Sequence, residues 1–568
     1  MIQYSISLYQ ASRHRIQVKV VIPTPEKETI LKISAWRPGR YEEGNFSRLI
    51  SHVQAFNNNK RVAIEKISKN EWLANTADAS EIQLTYLYYG AELTAGNTYL
   101  DENILLINPV NLLIYSDLIF NKEISLTIEL PKDWSVVGLE HKPENNIVFS
   151  SMDEAFDTPI LAGKEIKTTT YSHQNHQFYI HQHSSFPIAE DRLIADFFSF
   201  TKAQVDAFGE FPVKIFSFIL IGVHERYLHG VEHLNSTVIA LGPEEEWGTS
   251  RYEALLGVSS HELYHVWNIK TIRPASMLPY RFHTQNYSRL GYIYEGITTF
   301  MGDYYLLKSG VISSARYLEI LQEQIQIHVD NPGRHSYSIG DSSIDTWVDG
   351  YVTGTPGRKV SIYNEGALLA FVIDAKIRKA TKNKCNLEGF MRRMYYEFGI
   401  HSKGYNEAEV KRLLMECSGI DFSEFFDQYV NAAQGYESIL KDALNDYGIV
   451  IEQVVPSDRL MAELGIKVLL INQKTIITGI AAGSPSDLGG LCEGDQIKAI
   501  NSIEILNDIA KQVQGIESEL NQVSIMRKGK EITLSLPLVQ RTYFPRVILK
   551  KLDTKDQAHL KNRAQFGF

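Results

Sequence analysis

The chain has 568 residues, of which 44% are hydrophobic and 22% charged, and carries a formal net charge of −10. At roughly 100–200 residues per domain that length holds about three or four domains, and the apolar content excludes a disordered chain. The acidic balance gives no electrostatic footing for nucleic acid or an anionic membrane as partner.

Taken in chain order, residues 1–165 read as an all-β domain, a sandwich. Ile2, Tyr4, Ile6 and Leu8, then Ile16, Val18, Val20 and Ile22, alternate with polar residues at the period of a half-buried strand, and Pro23 closes the second run. This start lacks a positive leader and a continuous apolar stretch, so it reads as a strand and not as a signal peptide. Residues 166–450 begin with mixed strands and helices, including an apolar strand at 215–223 and a second strand near 230–241. Helical patterns dominate from about 251, and "EGALLAFVIDAKIRKA" at 365–380 is apolar nearly all round, which predicts a buried helix. Residues 455–545 form a separate module of short strands. Its last two strands are joined at Lys528-Gly529, and a polar helix is expected over about 507–521. A charged tail, 546–568, either packs back or stays loose. The longest apolar runs fall well short of the ~20 residues that span a bilayer. Cys385, Cys417 and Cys492 lie far apart without CxxC spacing, which argues against a disulfide framework and for a reducing, cytoplasmic setting.

The stretch "SSHELYHVWN" at 259–268 carries the chemistry. On a helix, His261 and His265 project from one face and can present ring nitrogens to a single Zn²⁺, while Glu262 turns toward the adjoining face, where an attacking water would sit. The alternative is two histidines on a core or solvated helix. Leu255, Leu256, Val266 and Trp267 make this a buried helix, in which an unpaired Glu-His pair would be costly. A catalytic zinc takes three protein ligands and keeps one open position. Glu295 in "LGYIYEGITTFMGDYY", with 29 residues intervening, is the candidate third ligand. Thr299 and Asp303 follow on its face, and Asp303 is either a carboxylate that orients a ligand histidine or a surface group.

HELYH, then YEGITTF, with "HGVEHLNST" upstream, "SIYNEG" downstream and "AWRPGRYEEGNFSR" at 35–48, resembles the PDZ-containing glycyl aminopeptidases, relatives of the thermolysin-like gluzincin peptidases. The resemblance implies a multidomain α+β chain: a β-sandwich-like N-terminal domain, a thermolysin-like catalytic domain with a mostly helical C-terminal lobe, and a C-terminal PDZ domain. It implies one Zn²⁺ per chain on His261, His265 and Glu295, with Glu262 as general base and Tyr363 as donor to the oxyanion. It places Glu232 on an edge strand as the anchor of the substrate's ammonium, with His233, Asn235 and Ser236 in the same substrate-binding motif. The implied activity is release of small N-terminal residues, Gly or Ala, from peptides with a free N-terminus. A zinc endopeptidase of the same fold, or a silent PDZ adaptor or chaperone, is the alternative. His229, Leu234 and Glu365 stand where the family commonly has glycine, arginine and lysine, and these departures bear on substrate preference. "GSPSDLGGLCEGDQIKAINSI" at 483–503 is similar to bacterial PDZ domains, with "ELGIKV" at 463–468 as the carboxylate-binding loop. That module would take a peptide C-terminus or pack against the catalytic body.

Overall fold

The computed structural model describes residues 1–24, 26–77, 79–138, 146–184, 186–243, 246–352, 354–505, 509–516 and 518–568. The period-two runs at the start become neighbouring strands. Ile2–Gln10 pairs antiparallel with Arg15–Pro23, which pairs with Glu81–Tyr89, inside a seven-stranded sheet. Ile2, Tyr4, Ile6, Ile16, Val18, Val20 and Ile22 all point inward and are buried, as the alternation demands. A four-stranded and a three-stranded sheet complete this β-rich N-terminal region. Its 35–41 segment leaves the sheets and docks on the next domain. The Ala35 N–H donates to the Phe282 carbonyl at 2.7 Å and the Trp36 indole to the Arg281 carbonyl at 3.0 Å.

The middle of the chain opens with a five-stranded mixed sheet. Its order is Lys167–His173, His176–His183, Ile215–Gly222, Ser236–Gly242 and, at the edge, Tyr227–Glu232. The apolar run at 215–223 is the buried central strand, parallel to both neighbours. The single strand expected near 230–241 is instead two antiparallel strands that reverse at 233–235, with Glu232 paired to Thr237. The turn is closed by the His233 N–H on the Ser236 carbonyl, and nothing in the apolar pattern marks it. Helices follow to residue 445, and Asn364–Thr381 is buried on almost every face, as its composition predicts.

The C-terminal module hangs between two paired strands. Ile449–Val454 leads into it and Arg546–Lys551 returns from it, antiparallel in register. Between them a six-stranded sheet encloses its own core of Leu464, Ile466, Ile477, Ile497, Val523 and Ile525. Lys528 and Gly529 form its two-residue turn with φ of 49° and 77°, the positive values such a hairpin requires. The helix expected over 507–521 is Ile509–Gln514; residues 507–508 and 517 of that expectation lie outside the described residues.

Of the two alternatives for the tail, it packs back: helix Gln557–Phe566 delivers Phe566 and Phe568 onto Tyr317 and Tyr447 of the helical body. Two aromatic anchors at its end outweigh the charges that dominate its composition. Cys385 and Cys417 form a disulfide, Cα atoms 6.5 Å apart, against the reading of a chain without one. The fold closes a 32-residue separation that spacing alone does not show. Cys492 is free and exposed. Among the described residues no helix is long and apolar enough to cross a membrane.

Candidate active site

Helix Thr249–Tyr264 carries His261 and ends at His265. One turn apart on one face, their Nε2 atoms lie 2.9 Å from each other. The His265 ring is fixed from behind: Nδ1 donates to the Asn268 carbonyl at 2.7 Å, which leaves the Nε2 lone pair facing the pocket. Glu295 comes from a π-helical turn, Tyr292–Ile297, that feeds helix Thr298–Lys308. Its Oε2 stands 3.3 Å from His265 Nε2 and 3.6 Å from His261 Nε2.

These three donors fit a metal ion. Two ligand atoms about 2.0–2.1 Å from a tetrahedral zinc stand about 3.3 Å apart, close to the observed spacing. Two imidazole lone pairs at 2.9 Å repel unless a cation or proton lies between them. The pocket favours that positive charge. Burial opposes a proton on His265, but Glu295, Glu232 and Glu262 outweigh it and push its pKa up to about 10. Burial would likewise raise the Glu295 carboxyl, yet the two histidines hold it at about 2.

Three close approaches assemble the site. A Cβ at Gly230 would overlap Glu262 Oε1, so the edge strand lies directly on the glutamate between the histidines. A Cβ at Gly296 would collide with the Gly366 backbone, so the Glu295 turn and helix Asn364–Thr381 meet without side chains between them. That contact brings Tyr363, at the helix start, to the site. Its ring centroid is 6.5 Å from that of His261 and its hydroxyl 3.4 Å from the Tyr351 hydroxyl. Burial, then Glu295, holds the Tyr363 phenol well above its ordinary value, so it stays a donor. The third approach is that of the N-terminal domain: Tyr41 donates its hydroxyl to Glu295 Oε1 at 2.9 Å and leaves Oε2 to the histidines.

Glu232 ends the edge strand, only 3% exposed, and its Oε1 has no hydrogen-bond partner. Its carboxylate lies within 4.8 Å of donor atoms of Glu262 and His265. Glu262 also keeps one oxygen, Oε2, without a partner, and burial followed by Glu232 and Glu295 raises its pKa. Two buried carboxylate oxygens without donors cost free energy until a cationic or proton-bearing group arrives.

The other residues named from the motifs sit elsewhere. His233 Nδ1 faces Asp157 Oδ1 at 3.2 Å, and Lys270 donates to the same oxygen at 2.6 Å. Ser236 donates to Asn235 Oδ1 at 3.3 Å inside the turn. Asp303 accepts from Gln324 at 3.1 Å, and burial pushes its carboxyl to about 7. Asn268 already satisfies His265 Nδ1, so Asp303 does not orient that ring. Glu365, at a position of departure, is buried against His328 Nδ1 at 2.6 Å. Tyr41 and Tyr351 were not singled out by sequence reasoning. Tyr41 lay in the quoted 35–48 segment, but nothing local links it to a glutamate 254 residues away.

The chain is a metallopeptidase: residues 254–369, which carry both histidines, Glu262, Glu295 and Tyr363, match the family model described as M61 glycyl aminopeptidase. Residues 3–164 match the Peptidase M61 N-terminal domain. A crystal structure of an aminopeptidase N family protein from Idiomarina loihiensis superposes with a TM-score of 0.90 at 23% identity, over 98% of this chain and 99% of that one, and so has the same fold. An M1 zinc metallopeptidase variant from Deinococcus radiodurans, bound to a Tyr-Ser-Ala substrate, is more distant. Its TM-score is 0.44 at 12% identity, over 78% of this chain and 92% of that one. No curated protein matches the chain.

Proposed function

We propose that the chain is a zinc aminopeptidase that releases small residues, glycine or alanine, from peptides with a free N-terminus. The observation that carries this reading is Glu232, a buried carboxylate with an orphan oxygen at the end of an edge strand beside the metal donors. An edge strand pairs with an extended peptide, and a carboxylate at its end meets the peptide's ammonium. The preference for small residues rests on the family resemblance.

His261, His265 and Glu295 would hold the zinc, with Tyr41 orienting Glu295 from behind. When bound, zinc supplies a Lewis acid that lowers the pKa of water toward about 7 and polarises the peptide carbonyl. Glu262, with its free Oε2, takes the proton of the attacking water and passes it to the leaving amine. Tyr363 donates its hydroxyl to the developing oxyanion. We read the 455–545 module as PDZ-like, with Gly465 at φ 68° in the loop before strand Ile466–Ile471.

Glu232→Ala tests the anchor. Breaking a desolvated ion pair costs about 2–5 kcal/mol, so kcat/KM for free peptides should fall by on the order of 10²–10³ while metal content is unchanged. Unaltered kcat/KM would remove Glu232 from substrate binding.

A further inference from the structure

The guanidinium of Arg37 lies near this site and has no role in the mechanism above. Arg37 is 6% exposed, and among the described residues its side chain makes a single hydrogen bond, Nη1 to the Pro38 carbonyl at 3.3 Å, and no ion pair. A Cβ at Gly96 would overlap the guanidinium, so this side chain lies flat over the backbone of the 94–98 loop. Burial, then Arg40, presses against its charge while Glu232 favours it. Arg40 is already engaged: it pairs with Glu42, and its guanidinium sits 4.6 Å from the Tyr351 ring centroid. The remaining donors of Arg37 are free to receive an anion.

The place of Arg37 along the substrate path follows from the edge strand. Glu232 stands at the C-terminal end of the strand, Glu262 lies over Gly230, and Tyr227 is at the other end. A peptide whose ammonium is held at Glu232 is therefore cut near Gly230. Its leaving portion runs on toward His229 and Tyr227 at about 3.3 Å per residue. A Cβ at Gly39, two residues after Arg37, would meet Glu232 and Val231, so the segment that carries Arg37 runs beside this strand. Thr94, Asn97 and Thr98 of the loop under Arg37 go on, with Tyr227, to line a cavity of about 1000 Å³. Charge points the same way. A divalent metal and the substrate ammonium balance Glu232, Glu262 and Glu295, and the Arg37 cation then remains uncompensated.

We infer that Arg37 binds a carboxylate on the leaving side of the scissile bond, either the C-terminal carboxylate of a di- or tripeptide or the side chain of an acidic residue. The inference rests on the aminopeptidase reading, since the ammonium at Glu232 sets the direction of the peptide. A planar guanidinium with free donors suits a carboxylate better than any neutral group.

Two substrate pairs test it on the full-length, zinc-loaded protein: Ala-Gly against Ala-Gly amide, and Ala-Glu amide against Ala-Gln amide. The charged member of at least one pair should be cleaved about tenfold to a hundredfold better in kcat/KM, as a charge-assisted bond of this kind allows. The pair that responds tells the chain terminus from the acidic side chain. Arg37→Gln should bring that ratio close to one with the neutral members still cleaved, and Arg37→Lys should restore part of it. Equal cleavage within both pairs by the wild type overturns the assignment and leaves the aminopeptidase intact, a result that does not depend on whether any variant folds. A preference that survives in Arg37→Gln overturns it too. If no free-amine peptide is cleaved at its first bond, the aminopeptidase reading fails and takes this inference with it.

Discussion

At the scale of single residues, the metal donors are held by neighbours as much as by their own helix. Tyr41 shares Glu295 with the histidines, so Tyr41→Phe should weaken zinc affinity by about 10–100-fold, the cost typical of losing a partner behind a ligand. Competition with a chelator measures this, and an affinity equal to wild type would reduce Tyr41 to packing. His261, Glu262 and His265 were legible in sequence because one helical turn fixes their relation, and Glu295 because a second apolar helix had to supply a third ligand. Tyr41, Tyr351 and Arg37 were not. Tyr41 and Arg37 come from the N-terminal domain and Tyr351 from the segment before the Tyr363 helix, and no spacing rule connects them to the site. His233 lies beside Glu232 in sequence, but it stands in the turn past the strand end and faces Asp157.

At the scale of elements, the segments that follow the edge strand and the histidine helix are tied together by the partly buried Asp157, which receives Lys270 Nζ, faces His233 Nδ1 and accepts the Leu234 N–H. Burial would raise the Asp157 pKa, but Lys270 and His233 outweigh it and hold it well below the ordinary carboxylate range. A depressed carboxylate contributes stability that is complete above its unfolded-chain value of about 4 and is lost as pH falls toward its folded value. Urea unfolding should therefore show stability declining below about pH 4, and Asp157→Asn should flatten that decline. The same variant should cost about 3–5 kcal/mol at pH 7, because Lys270 is left buried without its partner. An unchanged pH profile in the variant would show that the cluster does not carry the dependence. Strands were legible wherever alternation met a turn signal, as at Lys528-Gly529. The reversal at 233–235 carries no glycine or proline and was read through as one strand.

At the scale of the whole molecule, the C-terminal module is inserted into the catalytic body and not appended to it. Strand Arg546–Lys551 pairs with Ile449–Val454, and its Val547 and Leu549 N–H groups donate to Gln326 and Gln322 of a catalytic helix. Truncation after residue 454 would strip these bonds and the Phe566 and Phe568 anchors, and should give an unfolded or aggregating protein. Joining Val454 to Arg546, which face each other in register, through an Asn-Gly turn should instead keep the fold and the hydrolysis of small peptides. Loss of folding in the joined form would mean that the module is part of the catalytic core. The charged composition of the tail concealed this arrangement, since two aromatic side chains at its end decide where it goes. The measurement that tests the account most directly compares free and N-acetylated peptides beginning with Gly, Ala and Leu, with the products identified by mass spectrometry. The account predicts release of the first residue from free Gly- and Ala-peptides, slower release from Leu-peptides and none from the acetylated forms. Cleavage of free and acetylated peptides alike at internal bonds would contradict it.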